Sequence, residues 1–281
     1  MSKQKKENNN TNDKMTLLRR AWQSRSLIWK LSKNDFKKRY AGSYLGAIWA
    51  MVQPVVTVLM YYIVFDKIFN NRGEAIAGNM AIPYVLFLTA GLVPWFYFSE
   101  ALNHGTQALN EYSYLVKKVV FDIEILPIIK VIAATFIHVF FMFVLVIVGA
   151  IYGFLPGLYM LQLIYYSFCM FMLVLALIYT TSAIVVFFRD LAQIIQIGLQ
   201  IGMWATPILW NVTRIPPKWQ IIIKLNPVAY IVGGYRDAMC NTGYFWEHWQ
   251  YTLYFWAFVI VFFAIGKTVF RRLKPHFADV L

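Results

Sequence analysis

KVIAATFIHVFFMFVLVIVGAIYGFLPGLYMLQLIYYSFCMFMLVLALIYTTSAIVVFFR, residues 130–189, contains no Asp, Glu, Lys or Arg between its terminal Lys130 and Arg189. A soluble fold rarely keeps such a run out of aggregation. A helix needs about 20 apolar residues to cross a hydrocarbon core of about 30 Å, so the run holds two spans. These are expected at 129–152 and 161–188, with Gly153, Pro156 and Gly157 making the turn between them.

Outward from that hairpin the same reading gives four more crossings. One runs over 44–65 with Pro54 inside it, where a proline removes a helical donor and kinks the helix. Another runs over 82–110 and carries Gly91, Pro94 and Glu100, a third over 191–210, and the last over 251–266. Between 112 and 126 apolar and charged residues mix as on a short helix lying along a surface. Between 211 and 250 Pro216, Pro217 and Pro227 separate apolar clusters too short to span, which suits re-entrant or interfacial helices. The expected fold class is an all-α integral membrane protein with roughly six transmembrane helices.

The N-terminal 14 residues are polar and Asn-rich, and are expected to form a disordered tail. Over 15–40 Trp22, Leu27, Ile28, Trp29 and Phe36 alternate with Arg19, Arg20, Arg25, Lys30, Lys33, Lys37, Lys38 and Arg39, which reads as an interfacial amphipathic helix. The tail lacks the apolar core of a signal peptide, so targeting falls to the first span. Placing the N-terminus inside puts that helix, Lys117, Lys118, Arg189 and the cluster Lys267 to Lys274 on the cytoplasmic face. Both termini are then cytoplasmic.

The composition, 60% hydrophobic and 14% charged, fits a membrane bundle rather than a soluble domain. The net charge of +13 comes without a nucleic-acid-binding motif and matches anionic lipid headgroups better than nucleic acid. Cys169 and Cys240 are too few for a disulfide framework and lack metal-ligand spacing, so two free thiols are expected. Gly266, Lys267 and Thr268 resemble the end of a phosphate-binding loop, but Val261 stands where the motif needs glycine, so they read as a helix end. His104, His138, His248 and His276 are scattered and read as structural. An ionisable group within a span is costly, so Glu100 is a functional candidate, with Lys130 or Asn103 as expected partners. Trp49, Trp95, Tyr97, Trp204 and Trp210 read either as interfacial belts or as walls of a conduit along which sugar faces slide.

In order along the chain, KRYAGSYLGAIWAMVQP (38–54), YLVKKVVFDIEILP (114–127), FRDL (188–191), TPILW (206–210), Asn226-Pro227 and HFADVL (276–281) resemble the permease subunit of polysaccharide-exporting ABC transporters. Phe121-Asp122 stands where that family often has Phe-Pro. The run HWQYTLYFWAFVIVFFAIG followed by FADVL looks most like the teichoic-acid permeases, with O-antigen and capsule permeases close behind.

The resemblance implies a homodimer with two ATPase subunits, moving a lipid-linked polymer across the plasma membrane of a bacterium. The chain itself would bind no cofactor, ATP and Mg²⁺ belonging to the partner. By that likeness 15–40 is a gate helix, with Arg19, Arg20, Trp22, Arg25, Trp29, Lys30, Arg39 and Tyr40 admitting substrate. The segment 112–126 becomes a coupling helix. Tyr114, Lys117, Lys118, Phe121 and Asp122, with Arg189 and Asp190, would meet the ATPase. Glu100 and the five aromatics would line the conduit. A passive channel or secondary transporter would need no ATPase, and a membrane transferase would need a polar catalytic cluster that the sequence lacks.

Overall fold

The computed structural model describes residues 17–39, 44, 46–68, 74–75, 81–117, 122–154 and 157–281; of the expected site residues, Tyr40, Lys118 and Phe121 lie outside these, as does the expected tail. The basic N-terminal segment forms α1 (Leu17–Gln23) and α2 (Arg25–Arg39), separated by a turn at Ser24. Helix α3 (Trp49–Tyr61) continues in wider turns over Tyr62–Ile68. Two-residue strands, Glu74–Ala75 and Ala81–Ile82, pair antiparallel ahead of α4 (Tyr84–Thr106).

The charge-free run then supplies α5 (Leu126–Ile151) and α6 (Gln162–Val185), and Gly153 takes the left-handed φ of +86° that their turn requires. Helix α7 (Leu191–Ala205) is followed by α8 (Pro217–Lys224), α9 (Pro227–Cys240) and α10 (Trp249–Leu273). Prolines open α5, α8 and α9, where their missing N–H costs nothing. Asn226 caps α9 by accepting from Val228 N at 3.0 Å, and Asn241 ends it in the left-handed conformation.

Helices α4, α5, α6 and α10 have the length and apolar character to cross a membrane, whereas α3 and α7 are apolar but shorter. Of the six crossings expected, four among the described residues reach the length of a span and two more are apolar but shorter. The fifth expected span, 191–210, stops at Ala205 because Thr206 precedes Pro207 and is extended, at φ −83° and ψ 140°. The last helix outruns its expected end at Gly266, and the second stops at Thr106. The expected continuous coupling helix over 112–126 is not continuous: single turns at Ala108–Glu111 and Ser113–Val116 are followed by a 3-10 turn at Ile123–Ile125 that leads into α5. Asp122 caps that turn by accepting from Glu124 N.

Helix α4 is the hub, buried along most of its length and packed against α5, α6 and α9. α10 lies along α6, and their axes come close at Gly266, where a Cβ would sit 2.9 Å from the Ala176 carbonyl oxygen. This is why glycine stands in the Gly-Lys-Thr triplet, which lies inside α10 and not at the helix end expected for it. Gly234 has a similar role in α9, since a Cβ there would fall 1.9 Å from the Tyr166 ring. Both cysteines are buried and free.

Candidate functional site

The buried residues of α2 are Ile28, Ser32 and Asp35, spaced so that they share one face. That face lies on α5, where Ser32 Oγ donates to the Ile129 carbonyl at 3.2 Å. Asp35 is the only acid in α2 and sits at the centre of a network: it accepts from Lys130 Nζ at 2.6 Å, from the Tyr112 hydroxyl at 2.9 Å and from Arg39 Nη2 at 3.1 Å. Arg39 also donates to Glu100 Oε1 at 2.8 Å, and Lys130 to Glu111. Burial pushes the Asp35 carboxyl up, but the Lys130 ammonium and Arg39 guanidinium outweigh it and hold the group below its ordinary value.

A second network joins the chain's two ends. Arg20 Nη2 donates to Glu124 Oε2 at 2.7 Å and Nη1 to Asp122 Oδ2 at 3.4 Å, while Lys274 Nζ donates to Glu124 Oε1 at 3.0 Å. The Tyr179 hydroxyl donates to the Glu124 carbonyl at 2.7 Å. Together the two networks bind α1, α2, the segment before α5 and the C-terminal end into one plate. Charge-assisted hydrogen bonds of this kind are shorter and stronger than neutral ones.

This plate takes up several of the expected site residues. Glu100 is paired with Arg39, not with Lys130 or Asn103. Arg20 and Arg39 are largely buried in ion pairs, so their charges fasten α1 and α2 to the bundle. Arg19, Arg25 and Lys30 remain exposed, as does Trp29, whose ring meets Phe136 edge-on at 5.3 Å. The Arg25 guanidinium lies over the exposed Trp22 ring at 5.2 Å. Tyr114 is exposed with Lys38 over its ring, and Arg189, Asp190 and Lys117 are exposed.

The expected conduit residues also divide. Tyr97 is 2% exposed, stacked on His138 with ring centroids 4.4 Å apart and bonded to Thr135 Oγ1 at 2.8 Å, so it packs in the bundle interior. His138 in turn meets the Tyr235 hydroxyl at 3.0 Å and Ser167 Oγ at 3.1 Å, a structural setting as expected. Trp95 is buried too, but it borders a crevice of ≈390 Å³ with Phe98, Leu177, Gly198, Asn226 and Phe258. The polar side chains there, Thr206 and Asn226, are bonded to each other at 2.9 Å, so the crevice suits hydrocarbon better than hydroxyls. Trp49 and Trp204 are exposed, and Trp210 Nε1 donates to the Trp204 carbonyl at 3.0 Å.

Sequence reasoning passed over Asp35, Glu111, Glu124 and Lys274. The available signal was Asp35 itself, a lone acid on the apolar face of a basic helix. It also gave no role to Arg236. This residue is buried, its ring-stacked guanidinium 3.5 Å from the Phe87 centroid and donating to the carbonyls of Pro207 and Ile208 at 2.7 Å and of Phe87 at 3.3 Å.

Long apolar helices around a buried hub, closed at one end by an ion-paired basic plate, define a polytopic membrane protein. The pattern of the ABC-2 type transporter matches residues 26–240, and the chain belongs to that family. It is similar to an O-antigen export system permease protein RfbA of Klebsiella pneumoniae, 28% identical over 259 residues that cover 91% of this chain and 95% of the relative. A protein of the same name from Myxococcus xanthus is 26% identical over 270 residues, covering 94% and 98%.

Proposed function

We propose that the chain is the permease of an ATP-driven exporter that moves a lipid-linked surface polysaccharide from the cytoplasmic side of a bacterial plasma membrane. It would act as a homodimer with two ATPase subunits, both termini cytoplasmic and the 211–250 region dipping in from outside. The observation that carries this reading is the near end-to-end match to export permeases, 91% of this chain on 95% of the relative. Those names favour an O-antigen-type polymer. The teichoic-acid reading rests on the C-terminal run HWQYTLYFWAFVIVFFAIG and FADVL.

The plate gives the coupling a physical route. A push by an ATPase on the segment around Tyr114 and Lys117 reaches Glu111, whose partner Lys130 opens α5 and also holds Asp35 of α2. From Asp35 it passes through Arg39 to Glu100 in α4. Gate helix, coupling segment and two membrane helices would therefore move together. The exposed Arg19, Arg25 and Lys30 remain to meet an anionic headgroup.

The test is reconstitution with the ATPase subunit and defined lipid-linked polymers, scoring stimulated hydrolysis and translocation. Stimulation by an O-antigen lipid is expected. A response to a teichoic-acid precursor alone would select the other polymer, and recovery of the chain without any ATP-hydrolysing partner would remove the exporter reading.

A further inference from the structure

Helix α7 touches the rest of the chain along one side, and Leu199 is its one buried residue. Successive residues turn by about 100° in an α-helix, so Gln193, Gln196, Gln200 and Trp204 fall within an arc of about 80°, while Ile194, Ile197 and Ile201 occupy the arc beside it. All seven are exposed, Trp204 to 62%. Among the described residues no hydrogen bond to any of the three glutamine amides is found within the chain. The crevice lies toward Ile194, Gly198 and Gly202, away from the amides.

A primary amide carries two donors and an acceptor, and leaving these unmet in hydrocarbon is costly. A helix of otherwise apolar character does not turn three such groups to lipid. The isoleucine arc is the side that suits lipid or the apolar crevice. The amide arc needs water or a hydroxylated partner. We infer that Gln193, Gln196 and Gln200, continued by Trp204, form an uncharged track on which the hydroxyls of the exported sugar chain are exchanged from one turn of α7 to the next. This rests on the transport function proposed above.

The chemistry favours sugar over a second protein surface. Amides both give and accept hydrogen bonds, so they match hydroxyls in any orientation and hold none through charge. The track ends on a broad exposed indole, a surface for the apolar face of a sugar ring. Helix α3 repeats the pairing of amide and indole: Trp49, Gln53, Val56 and Met60 share one exposed stripe.

The test uses the full chain with its ATPase in proteoliposomes and single Gln196→Cys, Gln200→Cys and Ile194→Cys variants. The unsubstituted protein, with Cys169 and Cys240 buried, serves as the blank. A charged, membrane-impermeant thiol reagent is expected to label the two glutamine positions at least about tenfold faster than Ile194→Cys, and translocating polymer is expected to slow that labelling. No labelling at either position would overturn the inference, as would disulfide formation between two copies at Gln200→Cys in place of labelling. Labelling that polymer leaves unchanged would overturn the sugar track. Failure of the wild-type complex to move any polymer would sink the transport reading, while preferential labelling of the glutamine positions would still uphold a water-facing stripe.

Discussion

Helices α2 and α7 both have 15 residues, yet they use their polar groups in opposite ways. Helix α2 spends the buried members of its charge set inside the molecule: Asp35 and Arg39 are bonded to Lys130, Tyr112 and Glu100. Helix α7 carries no charge from Leu191 to Ala205 and leaves its amides open. Formal charge drew attention to the first as a binding surface, while its strongest charges serve as fasteners. The open chemistry lies on the neutral helix.

The comparison breaks most severely if the fasteners carry no weight. Lys130 is 0% exposed, and Lys130→Met removes the cation shared by two carboxylates, Asp35 and Glu111. Removing one partner of a buried pair costs about 3–5 kcal/mol, so a clear fall in the thermal unfolding midpoint of the purified protein is expected. An unchanged midpoint would return α2 to the role of a free basic surface. The double variant Asp35→Asn, Lys130→Met is expected to recover part of the loss, since the two effects share one interaction.

Gly234→Ala is next in size. It tests packing with no change of charge, and the Tyr166 ring has to move, which costs about 1–3 kcal/mol. The acid response is smaller. Because the folded-state pKa of Asp35 is depressed, its contribution is complete above the unfolded value of about 3.9 and is lost as pH falls through the lower folded value. Wild-type thermal stability should therefore drop more steeply below about pH 4 than that of Asp35→Asn. Parallel curves would show that Asp35 is not held ionised by its partners. Arg25→Gln and Lys30→Gln, on exposed positions, are expected to change stability by less than about 0.5 kcal/mol. Any loss of export in those two would then report on substrate.

What the sequence made legible was set by local physics. The charge-free run from Lys130 to Arg189 could only be a pair of long apolar helices, and α5 and α6 lie within three residues of their expected starts. The two short helices before the last span followed from prolines at 217 and 227. The end of α7 was missed although its signal, Pro207 after Thr206, was in plain view; hydropathy continued through Ile208 and Trp210 and outweighed it. The candidate site was less legible because its pairs are distant in sequence. Arg39 and Glu100 lie 61 positions apart, and Lys274 and Glu124 lie 150 apart. No periodicity within one helix announces such partners. Burial is what separates Arg20 from Arg19, and burial is a property of the assembled fold.

Arg236 has a further consequence for how α9 is held. Three of its acceptors are 149, 29 and 28 positions away, on α4 and on the turn after α7. A guanidinium cannot settle at depth without them. The seating of α9 is therefore tied to both α4 and that turn. Displacing either one would leave a buried guanidinium short of acceptors.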